Sequence, residues 1–273
     1  ARITDRLKHE ADGSGYMKPG FAHIFIIPAQ GGTPRQITTG NYDHGSSLSF
    51  SPNGKDIYFS SNRFEDWEYR FRNSEVYKVN VDTKQISALT TQDGPDYAPK
   101  VSPDGKTIAF LGYLDKVQDY QNTVLHLIDS DGSNRRIISS SLDESISDIT
   151  WDTSGKGLYF MYDIKGNTKI GYITTSGTIT KLTDNVGGTT IGRPYASGSY
   201  SVSQNGTLAY TQTRPEYPAE LAILQNKIKS KSAGRVQSAT LKLIVDKEKI
   251  IDAFVEEEYW NVNAKFKEFD AEL

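Results

Sequence analysis

Four stretches of this chain share one pattern of polar and apolar positions: a strand-length segment, a glycine turn, then a nearly continuous apolar run. They are SFSPNGKDIYFSS (Ser49–Ser61), KVSPDGKTIAFLG (Lys100–Gly112), TWDTSGKGLYFMY (Thr150–Tyr162) and SVSQNGTLAYTQT (Ser201–Thr213). Their glycines, Gly54, Gly105, Gly155 and Gly206, recur at intervals of 51, 50 and 51 residues. Asn-Gly and Asp-Gly between strands predict hairpins, because glycine takes the positive φ that tight turns demand. Further strands are predicted at His23–Ile27 with Arg35–Thr38, Glu75–Asn80 with Ile86–Thr90, Thr123–Asp129 with Arg135–Ser140, and Thr168–Thr174 with Thr178–Leu182. Their connections, AQGGTP, VDTK, SDGSN and TSG, are again turn chemistry. Four strands per unit at a period near 50 is the signature of a β-propeller blade. Residues 1–223 are therefore expected to form a mainly β, partial β-propeller of about four four-stranded blades. An irregular β-sandwich would not keep so constant a spacing.

The pattern changes near Leu224, and residues 224–273 read as a separate helix–strand (α/β) fragment. Val236, Ala239, Leu243 and Ile244 recur at helical spacing, Ser232 is a candidate N-cap, and the helix is expected to run to about Lys249. Beyond it, Trp260, Val262, Ala264 and Phe266 alternate with Asn261, Asn263 and Lys265, which predicts a half-buried strand over Tyr259–Lys267.

Composition narrows the chemistry. The 273 residues carry a formal net charge of −3, which does not suit a protein that coats nucleic acid over its whole surface. No apolar run is long enough to span a membrane. The opening ARITDRLKHEADG has no apolar core of signal-peptide type, so a cytoplasmic location is expected. With no cysteine there is no thiol nucleophile and no thiolate metal site. Asp96, Asp104, Asp115 and Asp119 read as loop acids without metal-ligand spacing, so neither a metal site nor a cofactor is expected. His9, His23, His44 and His126 fall in no credible triad order and read as surface or packing residues. Asn205-Gly206-Thr207 fits a glycosylation sequon but doubles as a hairpin turn.

The SPNGK and SPDGK hairpins, with the preceding PRQITTG and ISALTTQDG segments, resemble the propeller of the prolyl oligopeptidase family of serine peptidases, and TolB-like propellers share those hairpins. ITDRLKHEADGSGY and GRPYASGSYSVSQNGTLAYTQTRPEYPAEL are similar to its acylaminoacyl-peptidase branch. The resemblance covers about Ile3–Ile223. It implies a ring of about seven blades that caps an α/β-hydrolase domain and gates the entry of short peptides. The chain departs from that pattern: about four blades are present, no hydrolase domain follows, and no Gly-x-Ser-x-Gly nucleophile elbow occurs. No catalytic residue is assigned. SAGRVQSATLKLIVDKEKIIDAFVEEEYW, within about Lys229–Phe266, resembles a segment of the bacterial-type (type IA) DNA topoisomerases. That resemblance implies that Arg235 and Gln237 lie near DNA. The nucleophilic tyrosine motif and the acidic metal-binding domain of those enzymes are absent.

Charge along the tail points the same way. Lys227, Lys229, Lys231, Arg235 and Lys242 are five cations with no acid between Gln225 and Lys242, and Lys229 and Lys231 are candidate phosphate contacts. A solvated basic face is the alternative, and Leu243–Leu273 carries nine acids against four lysines. In NRFEDWEYRFRN (Asn62–Asn73), Arg63, Arg70 and Arg72 interleave with Phe64, Trp67, Tyr69 and Phe71. Such interleaving can stack single-stranded nucleic acid, whereas a long loop between strands more often packs on a neighbouring domain. The peptidase resemblance implies that such loops face the hydrolase domain.

The expected whole is a non-catalytic chimera: a substrate-gating propeller portion followed by a topoisomerase fragment. Its expected partners are short peptides or a hydrolase domain for the propeller, DNA contact through the tail, and self-association. The other reading is a DNA-associated protein acting through its basic tail.

Overall fold

The computed structural model describes residues 3–45, 47–184, 186–188, 198–214, 217–225, 228–232, 263–265 and 270–272. Four antiparallel four-stranded sheets follow one another along the chain, each a simple meander resembling a propeller blade. Sheet I comprises β5 (Ser49–Phe50), β6 (Asp56–Ser61), β7 (Glu75–Asn80) and β8 (Ile86–Ala88). Sheet II comprises β9 (Asp96–Val101), β10 (Thr107–Gly112), β11 (Val124–Asp129) and β12 (Arg136–Ile137). Sheet III comprises β13 (Ile146–Trp151), β14 (Gly157–Ile164), β15 (Asn167–Thr174) and β16 (Ile179–Lys181). Sheet IV comprises β17 (Tyr200–Val202), β18 (Leu208–Arg214), β19 (Tyr217–Gln225) and β20 (Ile228–Ser232). Two short pairs precede them: β1 (Glu10–Ala11) with β2 (Gly15–Tyr16), and β3 (Phe25–Ile26) with β4 (Arg35–Gln36).

The predicted hairpins form as expected. In each, glycine adopts a φ between +68° and +80°, at Gly54, Gly105, Gly155 and Gly206. The residue three before it supports the turn: Ser51 and Ser102 accept from the amides of Asp56 and Thr107 through their hydroxyls, at 2.9 and 3.0 Å. The second strands of sheets I–III read as nearly continuous apolar runs because both of their faces are buried. In β10, Ile108 and Phe110 enter the core between sheets I and II, while Ala109 and Leu111 enter the core between sheets II and III. In β14, Leu158 and Phe160 face sheet II while Met161 joins Leu208 and Tyr210 of sheet IV.

A second device recurs where the fourth strand leaves each third strand. Ile37, Leu89, Ile138 and Leu182 donate their amides to the carbonyls of Ile24, Val76, Leu125 and Ile170, at 2.8–3.0 Å. The hydroxyl of the next residue (Thr38, Thr90, Ser139 or Thr183) then accepts the amide of that same third-strand residue, at 2.9–3.3 Å. All four hydroxyl residues are buried. A buried amide without a partner is costly, so each clamp replaces a ladder bond that the diverging strand no longer makes.

The molecule divides into two compact units, Ala1–Lys231 and Ser232–Leu273. Sheet IV extends past the composition shift near Leu224, because β19 and β20 join it through backbone pairing, which is blind to the side-chain pattern. In the second unit, β21 (Asn263–Lys265), inside the predicted Tyr259–Lys267 strand, pairs with β22 (Asp270–Glu272). The helix expected from Ser232 to Lys249 falls outside the described residues beyond its first position.

Ser139→Ala should lower stability by about 1–2 kcal/mol, since it strands the buried Leu125 amide. The adjacent, exposed Ser140→Ala should change it by less than about 0.5 kcal/mol. Urea midpoints of the two variants check this.

Candidate functional site

Antiparallel meanders sort their connections by end. The glycine turns and the connections from third to fourth strands lie at one end of each sheet. The connections from second to third strands, and from one sheet to the next, lie at the other. At this second end sheets I and II carry long loops, residues 62–74 and 113–123, whereas sheet III has only a two-residue turn at 165–166. Loops of this kind, held on a rigid scaffold, are where binding residues concentrate.

Between these loops lies an open groove of about 540 Å³, lined by Tyr69–Asn73, Asp93, Gly94, Asp115 and Val117. Its floor is tied down: the Asn73 side-chain carbonyl accepts the Gly94 amide at 3.1 Å. Gly94 has φ +127°, and a side chain there would press on the Tyr113 carbonyl, so glycine is required. The 62–74 loop is anchored by Asn62, whose amide donates to the Arg70 carbonyl at 2.7 Å, and by Trp67, edge-on to Phe21. Tyr69 and Phe71 remain 77% and 75% exposed. The arginines are not free cations. Arg70 pairs with Asp66 (3.1 Å) and Asp93 (3.7 Å), and Arg72 pairs with Asp119 (3.8 Å). Arg63 stacks over Tyr42 and donates to His44 at 2.6 Å. A groove whose positive charge is matched by carboxylates and flanked by exposed rings suits an uncharged or amphoteric chain better than a polyanion.

Two residues along the chain from the groove-lining Asn73 and Gly94, Glu75 and Asp96 belong to a buried ionisable cluster. Asp96 at the start of β9 is fully buried and takes a bidentate ion pair from Arg135, at 2.6 and 2.9 Å. The expectation that Asp96 is a loop acid is thus corrected: it opens a strand and neutralises an arginine laid across the sheet. That guanidinium sits 5.0 Å from the Phe110 ring centre, and His126 stacks on the same ring at 4.9 Å. Glu75, at the start of β7, accepts from the Thr90 hydroxyl at 2.5 Å, while its other oxygen, Oε1, has no hydrogen-bond partner. Burial, reinforced by the Asp96 charge and opposed by Thr90 and Arg135, pushes the Glu75 carboxyl up to about 7. Burial first, then Arg135, lowers His126 to about 4. Burial also raises Asp96, against the pull of Arg135. His126 is a packing residue, as expected.

Glu75 and Arg135 carry no motif. Glu75 and His126 left a local signal, a charged residue opening an apolar strand (EVYKV) and a histidine inside another (VLHLI), whereas Arg135 left none. Of the tail residues, Lys229 and Lys231 fall in β20, while Arg235 and Gln237 lie outside the described residues. Among the described residues, no group of three or more His, Asp or Glu side chains is placed to hold a metal ion, and no helix is long and apolar enough to cross a membrane.

Glu75 and His126 act on stability with opposite signs. Between pH 4.5 and about 7 the unfolded chain loses the Glu75 proton that the folded chain keeps, so stability falls as pH rises. Between about 4 and 6.5 the unfolded chain binds a proton on His126 that the folded chain refuses, so stability rises with pH. Glu75→Gln, which mimics the protonated acid, should therefore stabilise the protein increasingly from pH 4.5 to 7 and level off above. At about 1.4 kcal/mol per pH unit the gain approaches about 3 kcal/mol. Urea unfolding of both proteins at pH 5 and pH 8 measures it.

With this geometry in view, two sequence families match separate parts of the chain. Residues 11–114 match the dipeptidyl peptidase IV (DPP IV) N-terminal region, and residues 219–273 match DNA topoisomerase. A dipeptidyl-peptidase 5 of Porphyromonas gingivalis is 27% identical over 139 residues, which is 50% of this chain and 20% of the relative. DNA topoisomerase 1 of Campylobacter jejuni is 63% identical over 43 residues, 15% of this chain and 6% of that enzyme. The chain thus spans only a fifth or less of these relatives. A crystallised puromycin hydrolase superposes with a TM-score of 0.61 at 17% identity, over 82% of this chain and 37% of that one, a likeness of fold. The topoisomerase match begins inside β19, so its first residues help to build sheet IV. The chain joins a stretch similar to the propeller-like N-terminal region of the dipeptidyl peptidase IV type, within the prolyl oligopeptidase family, to a stretch similar to a bacterial DNA topoisomerase.

Proposed function

We propose that the propeller-like part of the chain is a non-catalytic gating module, whose loop end receives short peptides or a loop of a hydrolase domain of the acylaminoacyl-peptidase type. The observation that carries this reading is the groove of Tyr69, Phe71 and charge-matched Arg70 and Arg72 at the only loop-rich end of sheets I and II. Exposed rings supply stacking and apolar area at low entropic cost, and paired charges supply orientation without attracting polyanions. The sequence contains no nucleophile elbow, so bond cleavage is left to another domain.

The test is direct. The chain should neither turn over acetylated amino-acid esters nor become labelled by a serine-reactive fluorophosphonate, whereas short peptides should bind and lose at least about tenfold in affinity on Tyr69→Ala/Phe71→Ala, or about 1.4 kcal/mol. Turnover blocked by the fluorophosphonate would defeat the reading.

The second reading, association with DNA through the tail, is favoured by the acid-free run of five cations from Lys227 to Lys242, which includes Lys229, Lys231 and Arg235; under it Arg235 and Gln237 lie near the DNA backbone. Under it, binding to duplex DNA should weaken steeply with salt and vanish when residues 225–273 are removed. Electrophoretic mobility shift at 50 and 200 mM salt decides.

A further inference from the structure

His44 is a second buried imidazole, outside the Glu75–Asp96 cluster, and its neighbours fix its protonation state. It is 4% exposed, with its ring against those of His23, at 5.1 Å, and Phe59, at 5.6 Å. Nδ1 lies 3.0 Å from the Ala22 carbonyl, which can only accept, so Nδ1 carries the ring proton. Nε2 is left with a lone pair, and the Arg63 guanidinium donates into it at 2.6 Å. A guanidinium has no acceptor, so this contact exists only with a neutral ring. A proton on Nε2 would set two donors and two positive charges face to face.

His44 is the fixed member of the pair. Its backbone amide donates to the Ala22 carbonyl at 2.9 Å, and the next amide, of Gly45, donates to the Ser60 carbonyl at 2.7 Å. The Ser61 hydroxyl donates to the Asp43 carbonyl at 2.5 Å, so residues 43–45 are locked onto the end of β6. Arg63 is the movable member. Besides His44, it is held by stacking over Tyr42, at 4.9 Å, and Tyr77, at 5.7 Å. Unlike Arg70 and Arg72, it has no carboxylate partner among the described residues. It stands two residues past β6, at the root of the 62–74 loop that carries Tyr69 and Phe71.

The remaining charged groups facing His44 pull in opposite directions. His23 joins Arg63 in opposing its protonation, whereas Asp43, which accepts the Ala22 amide at 2.7 Å, favours it. Burial, the largest influence, holds the imidazole below its ordinary range.

We propose that His44 and Arg63 form an acid-released latch on the 62–74 loop: a neutral His44 holds the arginine, and a protonated His44 expels it. Asn62, bonded to the Arg70 carbonyl, and Trp67, edge-on to Phe21, keep the rest of the loop anchored, so release frees its root without unfolding it. The latch depends on the loop's own contacts and not on peptide binding in the groove.

An NMR titration of the isotope-labelled full chain from pH 8 to pH 4.5 tests it. At pH 8 the His44 ring should be the Nδ1–H tautomer in a long-range proton–nitrogen spectrum. Its protonation midpoint should lie below about 6.5. The Arg63–Tyr42 nuclear Overhauser contact should fade, and the amide shifts of residues 63–66 should move, with that same midpoint. Arg63→Gln keeps a donor for Nε2 but removes the charge, and should raise the midpoint by at least about half a pH unit. His44→Gln should abolish the acid response of residues 63–66, and Arg63→Gln, at a half-buried position, keeps the test valid if His44→Gln misfolds. An Nε2–H tautomer at pH 8, a Tyr42 contact that outlasts the titration of His44, or a midpoint that Arg63→Gln leaves unchanged would overturn the proposal. So would an acid response that survives His44→Gln, or a ring that stays neutral until the chain unfolds.

Discussion

The stack in the propeller-like unit depends on sheets I, II and III being apolar on both faces. A strand such as β10 sends Ile108 and Phe110 to one side and Ala109 and Leu111 to the other, so sheet II cannot satisfy itself and must be sandwiched. Stability is then passed from neighbour to neighbour, as in other repeat architectures, and each interface is a core in its own right. The requirement also explains the repeated clamp. Where a fourth strand bends away inside so apolar a stack, the amide it abandons has no water to turn to, and a threonine or serine hydroxyl takes its place.

The same constraint governs the ionisable cluster between sheets I and II. Asp96 and Arg135 are tolerated there because they pair through two hydrogen bonds, and Phe110 gives the guanidinium an aromatic face. Glu75 and His126 are accommodated differently, by giving up their charged forms. The result is a nearly neutral buried cluster, and the groove repeats the principle at the surface, where Arg70 and Arg72 are matched by Asp66, Asp93 and Asp119. Surface pairs of this kind add little stability, so their consequence is for what the groove attracts.

Two-faced burial reaches the β3–β4 pair as well, whose Ile24 and Ile37 pack on Ile57 and Phe59 of sheet I, while Leu48 and Phe50 at the start of that sheet stay exposed. At the other end of the series, β19 and β20 complete sheet IV although the topoisomerase match has already begun within β19. Strand pairing asks for extended backbone and free amides, conditions that a segment similar to a different family can meet.

The hairpins, their fifty-residue period and the strand positions were legible in the sequence, because glycine turns and alternating or continuous apolar runs are local properties. So were the absence of a nucleophile elbow and the two family resemblances, which reside in contiguous phrases. The pairing of Asp96 with Arg135, 39 residues away, was not legible, nor was the burial of Glu75 against Thr90. The first spans sheet II from β9 to β12 and the second joins the third- and fourth-strand side of sheet I, so each contact needs its whole sheet paired, and its burial needs the sheets stacked. Asp96 looked like a loop acid because turn residues flank it, and only the packed sheets place it in the interior. The groove likewise required tertiary structure, since Asn73 and Gly94 meet only when the loops of adjacent sheets are brought to one end. Local pattern determined which residues form strands, and packing between sheets decided which charges lost their water.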